Sequence, residues 1–567
     1  MRFFFFLGFF IFSALQAQNQ TKFTDVTKEA GIDHIFDVYQ GLFGGGVAVF
    51  DYNNDGYEDL FLTSGQGKDI LYRNNGDGKF SDVTEEAGLV QDLLTVTTGV
   101  STADINKDGF IDIFITTIAA QKEKSSKIKT LSNNLLYLNT GQGTFIEKTK
   151  EYGIKDKNFS TSCSFGDINA DGYPDLFVAN YFKEFYFEQA LFGTHNLAIL
   201  NHYSINEEYE PGNDELYLNM GGKSFKNVSN FLKCNPGYGF GAVFTDVDND
   251  NDLDIYLVND FGENNEPNQI LINQYPKLDF ENKSKELKLN VGLKSMGVGV
   301  GDYNNDSYLD YHVTNIFAGP FMVNRGKDKS FVNLAPNIGT GINKIEGYKD
   351  SKQVIIGWGS LFVDYDHDKD LDLFNSNGPI NPMTNRIPNI LFENKGRFFD
   401  VCRDSGLMDF GIGRGSVHFD YDNDGDQDIF VVNQKPVYDM TYRGGVVKSK
   451  LYRNDNSNNL NWLKVKLNGK IATTRGLGSR VKIFLKDNLQ MVREVDGGSS
   501  HASQNTSIVH FGVGENTKID SLSITWPGGK SQSLTNIAAN QLLEVDEIDE
   551  IIDYPLWDRF LKYFNID

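Results

Sequence analysis

One acidic nine-residue loop recurs seven times in the chain, and this repeat constrains the fold more than any other feature of the sequence. The first copy spans residues 51–59 and reads DYNNDGYED. The other copies begin at Asp104, Asp167, Asp246, Asp302, Asp364 and Asp420, at intervals of 53 to 79 residues. Repeats of this length, in which each copy is one supersecondary unit, form closed or stacked arrays. We number the loop positions 1 to 9 and name each loop by its first aspartate.

Two further elements recur in phase with the acidic loops. A Leu-Tyr-x-Asn-like element follows each loop, first at residues 71–74, and a Phe-x-Asp-Val-Thr-like run follows six of them, first at residues 80–84. Together with the small-residue run before each loop, such as residues 44–50, they indicate four short strands per unit. Four-stranded units with a period near sixty residues are typical of propeller blades. The sequence therefore predicts an all-β fold class with a seven-bladed β-propeller over residues 18–456, and an open solenoid is the alternative.

The last repeat is incomplete, and the missing piece stands at the other end of the chain. No Phe-x-Asp-Val-Thr-like run follows residues 451–454, whereas a spare copy, residues 23–27, precedes the first loop. We predict that this segment supplies the fourth strand of the last blade and closes the ring. Closure removes the unpaired sheet edges that promote aggregation.

Each loop carries Asp or Asn at positions 1, 3, 5 and 9, a pattern that predicts calcium binding. Alternate side chains in a tight loop can point oxygens at one centre, and the backbone carbonyl of position 7 can add another ligand. Hard oxygen ligands without His or Cys select calcium over zinc or copper. We therefore predict up to seven Ca²⁺ ions. In the first four loops the predicted ligands are Asp51, Asn53, Asp55, Tyr57, Asp59, Asp104, Asn106, Asp108, Phe110, Asp112, Asp167, Asn169, Asp171, Tyr173, Asp175, Asp246, Asp248, Asp250, Asp252 and Asp254. In the last three loops they are Asp302, Asn304, Asp306, Tyr308, Asp310, Asp364, Asp366, Asp368, Asp370, Asp372, Asp420, Asp422, Asp424, Asp426 and Asp428.

Position 6 separates the loops into two groups. It is glycine in four loops and Asn251 in a fifth, as expected where a sharp turn requires a positive φ. It is Ser307 and Lys369 in the other two, so we predict that the Asp302 and Asp364 loops are the weakest or most distorted sites. At position 4, the side chain of His367 is predicted to point outward.

The charge of the chain fits metal-binding loops and argues against a nucleic-acid-binding protein. The chain has 77 acidic and 53 basic residues, a formal net charge of -24. Positions 1, 3, 5 and 9 alone hold 24 carboxylates, which repel one another within each loop unless a cation is bound. We therefore expect metal to act as a folding ligand.

The N-terminal residues predict export. Residues 1–17 combine one basic residue with a short apolar run and small residues, the pattern of a signal peptide, and no later stretch predicts a transmembrane helix. Three cysteines at wide spacing predict no disulfide framework. The expected location is secreted or extracellular, on the cell surface or in the periplasm.

The C-terminal part predicts a second domain. Residues 457–548 alternate apolar and polar positions between glycine-containing turns, which is typical of a small β-sandwich. In residues 549–567, apolar side chains recur at helical spacing and predict a short helix in a C-terminal tail.

These motifs resemble those of known families. The loops with their flanking strands resemble the FG-GAP or VCBS repeats of integrin α-chain propellers. Residues 461–467 (NWLKVKL), 475–480 (RGLGSR), 493–498 (REVDGG), 510–514 (HFGVG) and 526–529 (WPGG) resemble the ASPIC/UnbV domain. Together they resemble the cartilage acidic protein 1 family, whose members are secreted calcium-binding proteins with no established catalytic activity. The resemblance implies the loop oxygens named above as calcium ligands.

Long insertions predict where a partner binds. Residues 181–214, rich in Tyr and Phe, and the shorter segments 375–389 and 434–450 join second to third strands, at the end of the blades opposite the acidic loops. Aromatic loops on a rigid scaffold suit recognition of a protein or a glycan. The alternative is that these aromatic side chains form a small core over the channel mouth. We expect a monomeric adhesion or interaction module that binds no nucleic acid.

The alternative function is an extracellular enzyme or glycan-binding protein that acts on polysaccharide through the same face. The polar cluster available to it is His195, His202, Glu208 and Glu210, whose spacing matches no zinc or nucleophile motif. We therefore predict no catalytic residues and no enzymatic activity.

Overall fold

The computed structural model describes residues 23–38, 44–89, 95–120, 132–155, 157–183, 210–326, 330–342, 354–380, 387–436, 446–486 and 488–548. The predicted signal peptide (residues 1–17) and C-terminal helix (residues 549–567) lie outside the described residues. Within the described residues the fold is all-β, as the repeat predicts.

Seven four-stranded antiparallel sheets form the blades of a propeller. Blades 1 and 2 consist of β2 (Val47–Phe50), β3 (Asp59–Leu62), β4 (Ile70–Asn74), β5 (Phe80–Asp82), β6 (Thr95–Ala103), β7 (Asp112–Ala120), β8 (Leu135–Asn139) and β9 (Phe145–Glu147). Blades 3 and 4 consist of β10 (Phe159–Gly166), β11 (Asp175–Phe182), β12 (Glu215–Asn219), β13 (Phe225–Asn227), β14 (Tyr238–Thr245), β15 (Asp254–Asp260), β16 (Gln269–Gln274) and β17 (Lys277–Asn282). Blades 5 and 6 consist of β18 (Val298–Gly301), β19 (Asp310–Val313), β20 (Phe321–Asn324), β21 (Phe331–Asn333), β22 (Gly357–Val363), β23 (Asp372–Asn377), β24 (Ile390–Asn394) and β25 (Phe398–Asp400). Blade 7 contains β26 (Gly413–Phe419), β27 (Asp428–Asn433) and β28 (Lys450–Asn454) together with β1 (Phe23–Asp25).

The ring closes as the spare N-terminal copy predicts. Strand β1 pairs antiparallel with β28, with Phe23 opposite Asn454. The backbone amide of Leu451 donates to the hydroxyl of Thr27 at 3.0 Å, and the amide of Val26 donates to the carbonyl of Leu451 at 3.0 Å. The first strand of every blade contacts the first strand of the next, and β2 contacts both β6 and β26. The array is therefore a closed ring rather than an open solenoid.

Small residues on the first strands allow this close approach. A Cβ atom on Gly297 would lie 2.3 Å from the carbonyl oxygen of Trp358 in blade 6, which no side chain tolerates. The glycine-rich runs before the acidic loops are thus the innermost strands, as the sequence indicates.

Within the part of the chain that the structure describes, three single turns of helix follow outer strands. They are a 3-10 helix (Ser229–Phe231), α1 (Ala335–Ile338) and α2 (Cys402–Ser405). Both α-helices end at a glycine in the left-handed region, Gly339 and Gly406, which is the usual way to stop a helix.

The C-terminal domain is a β-sandwich, as predicted. One sheet contains β29 (Asn461–Asn468), β32 (Val509–Gly514) and β35 (Leu542–Asp546), and the other contains β30 (Arg480–Phe484), β31 (Gln490–Glu494), β33 (Lys518–Thr525) and β34 (Ser531–Ala538). Strands β29 and β35 run parallel, whereas the other pairs are antiparallel. Its buried side chains, Leu522 and Ile524 among them, belong to one hydrophobic cluster with Phe114 and Phe165 of the propeller. The two domains therefore share a core.

The connection between β31 and β32 enters the central channel of the propeller. We call residues 496–506 the plug loop. The loop forms isolated bridges that pair Gln504 with Ala48 of β2 and Ser500 with Val298 of β18. Further hydrogen bonds join it to the first strands of blades 2, 3, 6 and 7, and the His501 ring packs on Phe240 of blade 4. All seven innermost strands thus contact the plug loop, a role that the sequence did not predict.

Candidate metal centres

The seven acidic loops share one backbone conformation. In each loop the amide of position 6 donates to Oδ2 of the position 1 aspartate at 2.8–3.3 Å. Position 6 has a positive φ throughout, including 71° at Ser307 and 87° at Lys369. The predicted need for a positive φ is confirmed, and it is met in these two loops without glycine.

Position 4 is also left-handed in every loop, which the sequence interpretation missed. Its φ values lie between 52° and 62°, at Asn54, Lys107, Ala170, Asn249, Asn305, His367 and Asn423. Asparagine, which tolerates this region better than most residues, occupies four of the seven positions. The enrichment of asparagine at position 4 could have indicated this left-handed conformation from the sequence.

The position 9 aspartate anchors each loop to its blade. In the first loop, Oδ1 of Asp59 accepts the amide of Asn74 at 2.7 Å and Oδ2 accepts the amide of Tyr52 at 3.0 Å. The same pair of hydrogen bonds recurs at Asp112, Asp175, Asp254, Asp310, Asp372 and Asp428. Each carboxylate oxygen has a second lone pair and remains able to bind an ion.

The asparagine of the Leu-Tyr-x-Asn element links neighbouring blades. The Nδ2 group of Asn139 donates to the carbonyl of Tyr52 in the preceding blade at 2.8 Å. Equivalent bonds of 2.7–3.3 Å are made by Asn74, Asn219, Asn273, Asn324, Asn394 and Asn454. A ring of seven hydrogen bonds therefore holds the acidic loops in register around the axis.

Three loops bring carboxylates together closely enough to hold one cation. Ligand oxygens lie within 4.8 Å of one another in three groups: Asp246, Asp248 and Asp250; Asp364, Asp366 and Asp372; Asp420, Asp422 and Asp428. These are the loops with Asp at position 3, and the other four carry the amide of Asn there. Positions 1, 3 and 9 meet in two of the groups, and positions 1, 3 and 5 meet in the third.

The donor set fits a hard cation. Oδ1 of Asp364 and Oδ1 of Asp366 are buried and have no hydrogen-bond partner among the described residues, and the same holds for Oδ1 of Asp422. Burial raises the pKa of Asp59 to about 8 and that of Asp167 to about 7, because desolvation disfavours the charged carboxylate. A cation at the loop centre would offset this desolvation, and oxygen donors alone suit calcium.

Position 7 offers side chains that the sequence interpretation did not use. Oδ1 of Asp252 and Oδ1 of Asp370 are buried without a hydrogen-bond partner in the described part of the chain. The position 5 aspartates are more accessible, since six of the seven are exposed and the seventh, Asp368, is half-buried. In all seven loops Oδ1 of position 5 accepts the amide of position 7.

The C-terminal sandwich lies over the loops. The Nη2 group of Arg475 donates to Oδ1 of Asn54 at 2.9 Å, and Lys107 donates to the carbonyl of Ile471 at 3.0 Å. His367 is only 1% exposed and packs 5.1 Å from the ring of His510 in the sandwich. His367, predicted to point outward from its loop, is therefore shielded from solvent, because a second domain covers it.

The opposite end of the blades is described only in part. Most of the long insertion, with His195, His202 and Glu208, lies outside the described residues, whereas Glu210 is described and forms an exposed ion pair with Lys183 at 2.6 Å. Tyr181 and Phe182 are buried and pack against Phe159. For these two aromatic residues, the interpretation as core is confirmed.

No helix within the described residues combines the length and the apolarity that crossing a membrane requires.

Comparisons with known families agree with the motifs. The model of the FG-GAP-like repeat family matches residues 51–115 and 128–178, and the model named ASPIC and UnbV matches residues 469–551. The chain thus carries FG-GAP-like repeats in a β-propeller, followed by an ASPIC/UnbV domain.

Similar proteins include cartilage acidic protein 1 from two vertebrates. The Xenopus tropicalis protein is 23% identical over 544 residues, which cover 93% of this chain and 77% of that protein. The Homo sapiens protein is 26% identical over 259 residues, which cover 44% of this chain and 36% of that protein. Among solved structures, an Agrocybe aegerita lectin that recognises non-reducing terminal N-acetylglucosamine is 14% identical, with a TM-score of 0.35 over 63% of this chain and 80% of the lectin.

Proposed function

We propose that this relative of cartilage acidic protein 1 is a secreted or surface-associated calcium-binding protein whose propeller serves as an adhesion or interaction module. The loops bind up to seven Ca²⁺ ions through the oxygens at positions 1, 3, 5 and 9, with position 7 contributing its backbone carbonyl. The observation that carries the proposal is the convergence of carboxylates in three loops, some of whose buried oxygens have no hydrogen-bond partner among the described residues, together with the backbone geometry that all seven loops share.

The position of the sandwich supports a partner site on the opposite face. The acidic loops are partly covered by residues of the sandwich such as Trp462, whose ring lies where a Cβ atom on Gly425 would be. The plug loop fills the channel from the same side. A protein or glycan partner is therefore expected to bind at the other ends of the blades, where the second and third strands are joined.

Replacement of the insertion tests the partner site. In the full-length protein, residues 184–209 would be exchanged for a short Gly-Ser linker, and binding to a panel of immobilised glycans and extracellular matrix proteins would be compared with wild type. We expect binding to be lost while the increase in melting temperature with calcium is kept. Unchanged binding to every ligand that wild type recognises would refute the site, and loss of the calcium effect would show that the propeller itself was damaged.

A further inference from the structure

The acidic loops differ in charge, because three of them carry Asp at positions 3 and 7 where the other four carry Asn at position 3 and Tyr or Phe at position 7. The Asp246, Asp364 and Asp420 loops carry four carboxylates at positions 1, 3, 5 and 9. The other four loops carry three, because position 3 is Asn. Left uncompensated, the extra carboxylate would make three sites bind a dication more tightly than the rest.

A buried lysine of the sandwich reaches the Asp420 loop. Nζ of Lys464 donates to Oδ2 of Asp420 at 2.5 Å, with the two side chains 5% and 2% exposed. It also donates to Oδ1 of Asn423 at 3.2 Å. The same oxygen, Oδ2 of Asp420, accepts the amide of Gly425. Lys464 therefore does not occupy Oδ1 of Asp420, which stays available to a metal ion in the loop.

An arginine of the sandwich reaches the Asp246 loop in a similar way. Nη1 of Arg480 lies 3.5 Å from Oδ2 of Asp246 and donates to Oδ1 of Asn249, and Nη2 donates to the carbonyl of Asp246. The same guanidinium pairs with Glu494 of the sandwich at 3.3 Å.

The Asp364 loop faces a second arginine. Nη2 of Arg493 is buried and has no hydrogen-bond partner among the described residues, and the same is true of Oδ1 of Asp364. Asp364 and Arg493 line the same cavity.

Three of the four loops with three carboxylates receive different contacts. Asp104 accepts a neutral hydroxyl, that of Thr474, at 2.6 Å. The Asp167 loop lies against the backbone carbonyl of Ile471, next to Gly172. The Asp51 loop is contacted by Arg475 through the amide oxygen of Asn54 rather than through a carboxylate.

We propose that the C-terminal sandwich tunes the metal affinity of the Asp420 and Asp246 loops by placing one buried cation beside the position 1 carboxylate of each. This inference rests on the proposed calcium binding of the loops. Lys464 and Arg480 each contact Oδ2 of the position 1 aspartate. The calcium ion and the side-chain cation therefore bind the same carboxylate from two sides. Since like charges repel, each cation weakens calcium binding at its loop and offsets the extra carboxylate at position 3.

The Asp420 loop offers the sharpest test, because Lys464 can be replaced by a side chain of similar length without charge. Calcium binding to the full-length protein would be measured by isothermal titration for wild type, Lys464→Met and the double variant Lys464→Met with Asp422→Asn. We expect Lys464→Met to tighten one site by about tenfold or more, and the double variant to return to within about threefold of wild type. Lys518→Met, an exposed lysine of the same sandwich, is the matched control and should change no site.

The outcomes separate this inference from the proposed function. If wild type binds no calcium, the proposed function fails; if wild type binds calcium and Lys464→Met alters no affinity, only the present inference fails. Should Lys464→Met not fold, Lys464→Gln provides the test. We expect it to tighten one site by about tenfold, and unchanged binding would overturn the inference.

Discussion

The imidazole of His501 packs against the indole of Trp358, with ring centroids 5.1 Å apart, although the two residues belong to different domains. His501 is 1% exposed and Trp358 is completely buried. Nδ1 of His501 lies 2.7 Å from the carbonyl of Met296, and its ring also contacts Phe240 at 5.4 Å. A side chain of the sandwich is therefore part of the core of the propeller, at the axis where the innermost strands meet.

Truncating the plug side chain should destabilise the propeller as well as the sandwich. We expect His501→Ala to lower the free energy of unfolding by about 3 kcal/mol, from lost packing and a lost buried hydrogen bond. Denaturant unfolding followed by tryptophan fluorescence measures the effect. Lys486→Ala, at an exposed position of the same domain, is the control. A loss no larger than that of the control would contradict the view of the plug loop as core.

Two buried histidines should make the protein less stable in mild acid. Burial lowers the pKa of His34 and that of His501 to about 4, from 6.5 in the unfolded chain. Between pH 6.5 and 4 the unfolded state therefore binds more protons, so stability falls as pH falls through this window and levels off below it. Each histidine should contribute a loss on the order of 3 kcal/mol.

The double variant His34→Gln with His501→Gln isolates the contribution of these two histidines to the pH dependence of stability. Its free energy of unfolding, measured from pH 7 to 4 at saturating calcium, should fall less steeply than that of wild type. The loop carboxylates titrate in both proteins and cancel in the comparison. Parallel pH profiles would show that these histidines do not stay neutral in the folded state.

Replacing Ser307 with glycine should stabilise the Asp302 loop. Ser307 adopts a φ of 71°, where a side chain is strained, so Ser307→Gly should stabilise the protein by about 1 kcal/mol. Gly109 has a φ of 90° and no atom within 4 Å of where its Cβ would lie, so Gly109→Ser adds strain without a clash and should cost a similar amount. Chemical denaturation of both variants checks the opposite signs, and effects of the same sign would refute the backbone explanation.

The inter-blade asparagines should be sensitive to substitution. Asn139→Leu removes the donor to the carbonyls of Tyr52 and Ile111, 2.8 and 3.2 Å away, and should cost about 3 kcal/mol because two buried acceptors lose their partner. Asn75→Leu, at an exposed turn, is the control. Equal unfolding free energies for the two variants would exclude a role of the asparagine ring in stability.

Much of the propeller could be predicted because its signals are local and repeated. The strand count per blade and the surplus copy at residues 23–27 can be read by aligning the chain with itself, and the pairing of Phe23 with Asn454 follows. Glycine at position 6 of four loops likewise predicted a positive φ at that position. By contrast, the Leu-Tyr-x-Asn repeat identifies Asn139 as a recurring residue but not its partner, since its bond to Tyr52 in another blade depends on ring geometry.

The docking of the sandwich could not be predicted from the pattern. Residues 496–506 are polar and small, without a hydrophobic periodicity that would indicate burial. They are buried because their backbone pairs with the free edges of the innermost strands, such as Val298, and these edges meet only once the ring has closed. The ion pair of Lys464 with Asp420 could not be predicted for the same reason, since it joins residues of two domains.

The central claim is that the acidic loops bind calcium and that the fold depends on it. The most direct measurement is the number of calcium ions bound per full-length chain, combined with the melting temperature before and after chelation. We predict that binding approaches seven ions and that chelation lowers the melting temperature by on the order of 10 °C, since each site at 100 times its dissociation constant contributes about 2.7 kcal/mol. A chain that binds no calcium and melts at the same temperature with and without chelator would contradict the account.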